Sequence, residues 1–107
     1  MNNSGIKILI VDDEEDIREF LSYNIGKEGY TVKVASNGSE AIKIAKSFIP
    51  DLILLDVMMP EMDGIETCEL LKKIDELQHT IISFLTARAE DYSQIAGFDA
   101  GADDYIT

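Results

Sequence analysis

Basic residues are scarce in this chain. Nine lysines and arginines face 21 aspartates and glutamates, for a formal net charge of −12. So acidic a surface repels nucleic acid and anionic membranes, and direct binding to either is not expected. Cysteine is nearly absent. Cys68 stands alone, so no internal disulfide can form and the chain suits a reducing, cytoplasmic setting. Its apolar neighbours at helical spacing make it a small core residue. The single histidine, His79, lies in a polar stretch before an apolar run and reads as a solvated loop residue, not a ligand or phosphocarrier. Long hydrophobic runs are missing, and none nears the roughly 20 residues of a membrane span. Met1 to Gly5 form no charged and apolar leader, so no signal peptide is expected. Gly-rich phosphate loops, Cys/His metal clusters, a nucleophile elbow, internal repeats and linkers are also lacking.

What remains is an ordinary globular composition, 46% hydrophobic over 107 residues. That length suits one small domain. Short apolar runs alternate with amphipathic stretches. Ile6 to Val11 is a β-branched run ending at Asp12 and Asp13. Ile17, Phe20, Leu21, Asn24 and Ile25 then recur at helical spacing up to Gly29. Tyr30 to Ala35 alternates as a strand does, and Asn37-Gly38 marks a turn. Ala41, Ile42, Ala45 and Phe48 line a second helical face, closed by Pro50.

Leu52 to Leu55 is wholly apolar, as expected of a strand covered on both faces. Asp63 is placed to cap a third helix carrying Ile65, Cys68, Leu71 and Ile74. Thr80 to Leu85 reads as a fourth strand, and Tyr92, Ile95, Ala96 and Asp99 as a helix stopped by Gly101. Asp104 to Thr107 begins a fifth strand. Strands alternating with helices through short connections predict an α/β fold with a doubly wound five-stranded parallel sheet. The flavodoxin-like strand order 2-1-3-4-5 is a common form, with its ligand crevice where strands 1 and 3 part.

In that order Asp12 and Asp13 leave strand 1 beside Asp56 at the end of strand 3. Neighbouring strands are about 5 Å apart. Carboxylates at that spacing repel by about 3 kcal/mol per pair at an effective dielectric of roughly 20. A proton or cation must relieve this, and a hard divalent ion suits an all-oxygen donor set, with magnesium the best fit beside a phosphate. Either Asp12 or Asp13 alone would read as a helix cap. The pair together with Asp56 points instead to a metal-phosphate site. Thr86 ends strand 4 beside strand 3, where its hydroxyl could bond a phosphoryl oxygen on Asp56. Taken alone, a threonine there is more often structural.

These residues carry a resemblance. ILIVDDE at 8–14, DLILLDVMMPEMDG at 51–64, LTARAED at 85–91 and GADDYIT at 101–107, in this order and at these separations, resemble the response regulator receiver family of two-component signalling. The resemblance spans nearly the whole chain. It implies that Asp56 is the phosphoacceptor, and that Asp12, Asp13, Asp56 and the Met58 backbone carbonyl bind Mg2+. It further implies that Thr86 and Tyr105 are the switch pair. Asp99, Asp103 and Asp104 would lie on a homodimer face formed by the fourth helix and fifth strand in the full-length protein. The implied partner is a histidine kinase phosphodonor. LTAR after strand 4 is similar to receivers joined to winged-helix DNA-binding domains, so the implied output is transcription. One departure stands out. The family's lysine after strand 5 would fall just past Thr107, and the last helix is missing, so residues 1–107 read as a receiver truncated at its C-terminus.

Two rival readings use the same residues. A magnesium phosphohydrolase with an aspartyl nucleophile commonly carries a second aspartate two positions on, where this chain has Met58. A constitutive binding module of the same fold would take up no phosphoryl group. A flavodoxin is disfavoured because the first turn is acidic where a bound phosphate needs donors. The expectation is therefore a signalling module that assists its own phosphorylation, not a turnover enzyme.

Overall fold

The structure is a computed structural model that describes residues 5–59 and 62–85 in full and the backbone of residues 104–106. Its described elements run in the expected alternation. They are β1 (Lys7–Val11), α1 (Glu15–Lys27), β2 (Thr31–Ala35), α2 (Gly38–Phe48), β3 (Leu52–Asp56), α3 (Gly64–Lys72), a 3-10 turn (Asp75–Leu77), β4 (Ile81–Leu85) and β5 (Asp104–Ile106). The expected helix through Tyr92, Ile95, Ala96 and Asp99 lies outside the described residues. The five strands form one sheet in the order β2-β1-β3-β4-β5, with every pairing parallel. This is the expected doubly wound α/β arrangement.

Strand register builds the site. Val11 pairs with Ala35 on one side and Leu55 on the other. Asp12 and Asp56 each follow one residue after the Val11–Leu55 pair, so both leave the sheet at the same edge. Asp56 in turn pairs with Leu85, the residue before Thr86.

Alternation along each strand divides the core between two faces. Leu9, Val11, Ile53, Leu55, Ile82 and Phe84 pack against Ala41, Ala45 and Phe48 of α2 and Cys68 and Leu71 of α3. Ile8, Ile10 and Leu54 pack on the opposite face, with Leu21 and Ile25 of α1 half-buried against them. The face of α1 is narrower than its periodicity suggests. Phe20 is 64% exposed and Asn24 is exposed too. Consecutive helical residues diverge by about 100°, and with Leu21 toward the sheet Phe20 is carried round to solvent.

Helix ends follow local chemistry. Asn37 and Asp63 accept hydrogen bonds from the Glu40 and Glu66 amides at 2.8 and 2.9 Å, satisfying orphan N–H groups of the first turn. Asn37 is therefore the cap of α2 and Gly38 its first residue. The helix ends at Ile49, in the left-handed region at φ 49, with its N–H bonded to Ala45 O at 2.9 Å. A β-branched residue there costs roughly 1–2 kcal/mol, and the Ile49 side chain packs against the core in return. Gly29, at φ 98, ends the α1 connection without that strain.

At the sheet edge remote from the aspartates, Thr80 is buried and donates its hydroxyl to Pro50 O at 2.6 Å. Beside it Asp51 ties the starts of β1 and β4, accepting Lys7 N on its carboxylate at 2.8 Å and Ile81 N on its carbonyl at 3.0 Å. Thr80→Val leaves the buried Pro50 carbonyl without its donor. The expected loss is about 1–3 kcal/mol in urea unfolding, with Thr80→Ser retaining most of the stability. A valine variant as stable as the parent would show the bond to be dispensable.

Candidate phosphoacceptor site

Three acidic side chains meet at the carboxyl edge of the sheet. Asp12, Asp13 and Asp56 each place a carboxylate oxygen within 4.8 Å of the others. Asp12 is buried, Asp56 half-buried and Asp13 exposed, so the cluster opens to solvent on one side.

The surrounding contacts orient this group. Asp12 N donates to Ala35 O at 3.1 Å, which holds the end of β1 against β2. The Asp12 Oδ1 accepts the Glu14 amide at 2.9 Å, and Arg18 Nη1 donates to the Asp12 carbonyl at 2.8 Å. The N-cap of α1 is Glu14, which makes no side-chain capping bond. Asp12 therefore does part of what a capping residue would, while its carboxylate also faces Asp13 and Asp56. Across the crevice, Asp56 Oδ1 accepts the Met58 amide at 3.2 Å. Val57 is fully buried and Met58 is 61% exposed.

Crowding shows in the proton affinities. Burial is the largest cause raising the Asp56 carboxyl, and the Asp12 charge adds to it. The Met58 amide offsets part, and Asp13 raises it further by charge and by hydrogen bonding. The result is pushed up to about 7. Asp12 is also raised, mainly by burial and then by the Asp13 charge, against the opposing Glu14 amide and Arg18 guanidinium. Two neighbouring carboxyls both raised, mainly by burial and then by adjacent negative charge, mark a site where negative charge is under-compensated.

The donor chemistry fits a hard divalent cation. All three candidate ligands are carboxylate oxygens, with no sulfur or imidazole among them. Such a set favours magnesium, calcium or manganese over zinc or copper.

The amino-acid sequence matches the Response regulator receiver domain family over residues 8–107. The chain belongs to this family. The receiver is 50% identical over 101 residues to the alkaline phosphatase synthesis transcriptional regulatory protein PhoP of Bacillus subtilis (strain 168), covering 94% of this chain and 41% of that protein. It is 48% identical over 100 residues to the transcriptional regulatory protein ResD of the same organism, covering 94% and 40%. The chain thus spans about two fifths of the length of these curated relatives. Among solved structures, chemotaxis protein CheY4 of Vibrio cholerae superposes with a TM-score of 0.91 at 31% identity, covering 95% of this chain and 85% of that one.

Of the expected site residues, the receiver brings Asp12, Asp13 and Asp56 together, with Met58 two residues beyond Asp56. Asp104 and Tyr105 lie in β5, where Tyr105 pairs with Phe84; their side chains are outside the described residues. Thr86, Asp99 and Asp103 also lie outside the described residues. No helix among the described residues is long and apolar enough to cross a membrane. Two contributors escaped the sequence reading. Arg18 bonds the Asp12 carbonyl from α1, and Gly64 seats α3 close to the Asp56 backbone. No spacing signal marks the arginine. The glycine was visible only as the last residue of the motif at 51–64.

Proposed function

We propose that this receiver is the phosphoacceptor module of a two-component phosphorelay, with Asp56 as the residue modified. The convergence of three carboxylates at one sheet edge carries this reading. The donor is the phosphohistidine of a histidine kinase, or a small acyl phosphate. An Asp56 oxygen attacks phosphorus, the bond from phosphorus to the donor's nitrogen or oxygen breaks, and an acyl phosphate is left on the chain. Asp56 must be ionised to attack, so the proton it holds near neutrality has to leave first.

Asp12, Asp13, Asp56 and the Met58 carbonyl are the residues that would hold Mg2+. When bound, the ion neutralises charge on the carboxylates and on the transferring phosphoryl group. The Met58 amide, already bonded to Asp56 Oδ1, keeps that carboxylate oriented. Thr86 and Tyr105 act as the switch that reads the new negative charge. Asp99, Asp103 and Asp104 belong to a homodimer face that forms in a longer protein. The output is transcription, as the names of PhoP and ResD state for those proteins. The module works in the cytoplasm, makes no direct contact with nucleic acid and turns over no external substrate.

The test is intact mass before and after incubation with acetyl phosphate and Mg2+, followed by peptide mapping. One added phosphoryl group on Asp56, absent when Mg2+ is chelated, is expected. A modified serine or threonine with Asp56 untouched would refute the assignment, and multiple turnover of a small phosphate ester would favour a phosphohydrolase instead.

A further inference from the structure

The connection from β3 to α3 carries Asp56, Val57 and Met58 at one end and the first turn of α3 at the other. The two ends meet at Gly64. Its N–H donates to Val57 O at 2.9 Å, and the same carbonyl accepts Met59 N at 3.2 Å. A Cβ placed on Gly64 would overlap the Asp56 carbonyl oxygen and stand 2.7 Å from Val57 Cα and 2.9 Å from the Asp56 carbonyl carbon. All three are backbone atoms of the strand end that bears the phosphoacceptor, and backbone cannot swing aside as the tip of a flexible side chain can.

We propose that Gly64 is a positioning residue for phosphoryl transfer, an inference that rests on Asp56 being the phosphoacceptor. Its lack of a side chain lets the start of α3 sit directly on the Asp56–Val57 peptide. That seat fixes the segment whose Met58 amide holds Asp56 Oδ1. Three constraints leave the segment little room. Val57 is fully buried, Asp56 is paired with Leu85, and the Val57 carbonyl is doubly bonded. A methyl group at position 64 must therefore either lift α3, breaking the Gly64 N–H bond to Val57 O that steadies the segment, or shift the Asp56 peptide, and either change loosens the hold on the carboxylate facing Asp12 and Asp13. A misplacement of about 1 Å in a reacting group can cost on the order of 100-fold in rate.

Gly38 provides the control. A Cβ there would overlap Thr67 Oγ1 and stand 2.7 Å from Met62 Sδ. That crowding is also tight, but it falls on side-chain atoms and not on the Asp56 backbone. The full chain and its Gly64→Ala and Gly38→Ala variants would be compared for rate of mass gain with acetyl phosphate, Mg2+ affinity by calorimetry, and urea midpoint. Both variants are expected to lose stability. Gly64→Ala alone should lose about tenfold or more in phosphorylation rate and bind Mg2+ more weakly. A folded Gly64→Ala chain that matches the parent in rate and Mg2+ affinity would overturn the proposal. So would equal losses in Gly38→Ala, which would mean general loosening. Should Gly64→Ala not fold, Mg2+ titration of the parent followed by amide resonances decides the matter. The Gly64 amide should move together with those of Asp56 and Met58, and a Gly64 amide that stays still while they move would overturn the proposal. Failure of the parent to gain a phosphoryl group at Asp56 would remove the underlying reading as well. Normal gain there with an unaffected Gly64→Ala variant would remove only the role of the glycine.

Discussion

Asp56→Asn is expected to abolish phosphoryl uptake and, at neutral pH, to unfold at a higher temperature than the parent. The first effect follows from chemistry, since an amide is not a competent nucleophile toward phosphorus. The second follows from linkage. The Asp56 carboxyl is pushed up to about 7 in the folded chain, against about 3.9 for an unperturbed aspartate. Between those two values the folded state keeps a proton that the unfolded state has released, so stability falls as pH rises through the window. Below it both states are protonated and above it both are ionised, so the penalty is absent at low pH and complete above about 7. Asparagine never carries the charge. The variant's advantage should therefore be near zero at pH 4, grow through the window and level off above about pH 7. Solvent screening at this half-buried position leaves about 1–2 kcal/mol of the effect. In a domain of this size each ~1 kcal/mol moves the midpoint by about 4–8 °C. Thermal unfolding of both proteins from pH 4 to pH 8 measures this. Parallel curves would show that Asp56 ionisation is not under strain in the fold.

The strain at Asp56 is legible in the sequence because it depends on topology more than on detail. Asp12, Asp13 and Asp56 each end an apolar run, parallel strands all end at one edge, and the order β2-β1-β3 makes the first and third strands neighbours. The Asp63 cap is legible for a similar reason, since it needs only the three residues after it to find its partner, whereas Asn37, read as a turn residue, caps α2 in the same way. What stayed hidden depends on approach between segments distant in the chain. The Thr80 hydroxyl finds Pro50 thirty residues earlier, and no local pattern announces it. Phe20 matched the helical period as well as Leu21 did, yet the sheet accepts only one side of α1. Thr67 is fully buried in α3 although its polarity suggests an outer face; its hydroxyl is satisfied by Asp63 O at 2.8 Å, a bond within its own helix start. The seat of Gly64 on Asp56 belongs to the same class. It is a relation between two backbones, and one sequence alone marks only that a glycine is present.

Removing one carboxylate should separate the roles of Asp12 and Asp13. Asp13 is exposed and its carboxylate, which is hydrogen-bonded to Asp56, stands on the solvent side of the cluster, where a cation entering from solvent meets it first. Asp12 is buried, and its Oδ1 is already committed to the Glu14 amide. Asp13→Ala is therefore expected to weaken Mg2+ binding more than Asp12→Ala, by about tenfold or more if a direct ligand is lost in one case and a water-bridged one in the other. Stability should respond in the opposite order. Asp12→Ala leaves the Glu14 amide without its acceptor at the start of α1, whereas Asp13→Ala removes an exposed charge that repels both neighbours, at the loss of its hydrogen bond to Asp56. In metal-free buffer near neutral pH, Asp13→Ala should then equal or exceed the parent in unfolding midpoint, and Asp12→Ala should gain less or fall below it. Adding Mg2+ should raise the parent's midpoint by an amount that grows with the logarithm of concentration, and Asp13→Ala should respond least. Calorimetric titration of each variant, with thermal unfolding at several Mg2+ concentrations, measures both orders at once. Equal affinities for the two variants, or a weaker ion in Asp12→Ala, would reassign the direct ligand to Asp12 and make its bond to Glu14 one that the metal displaces.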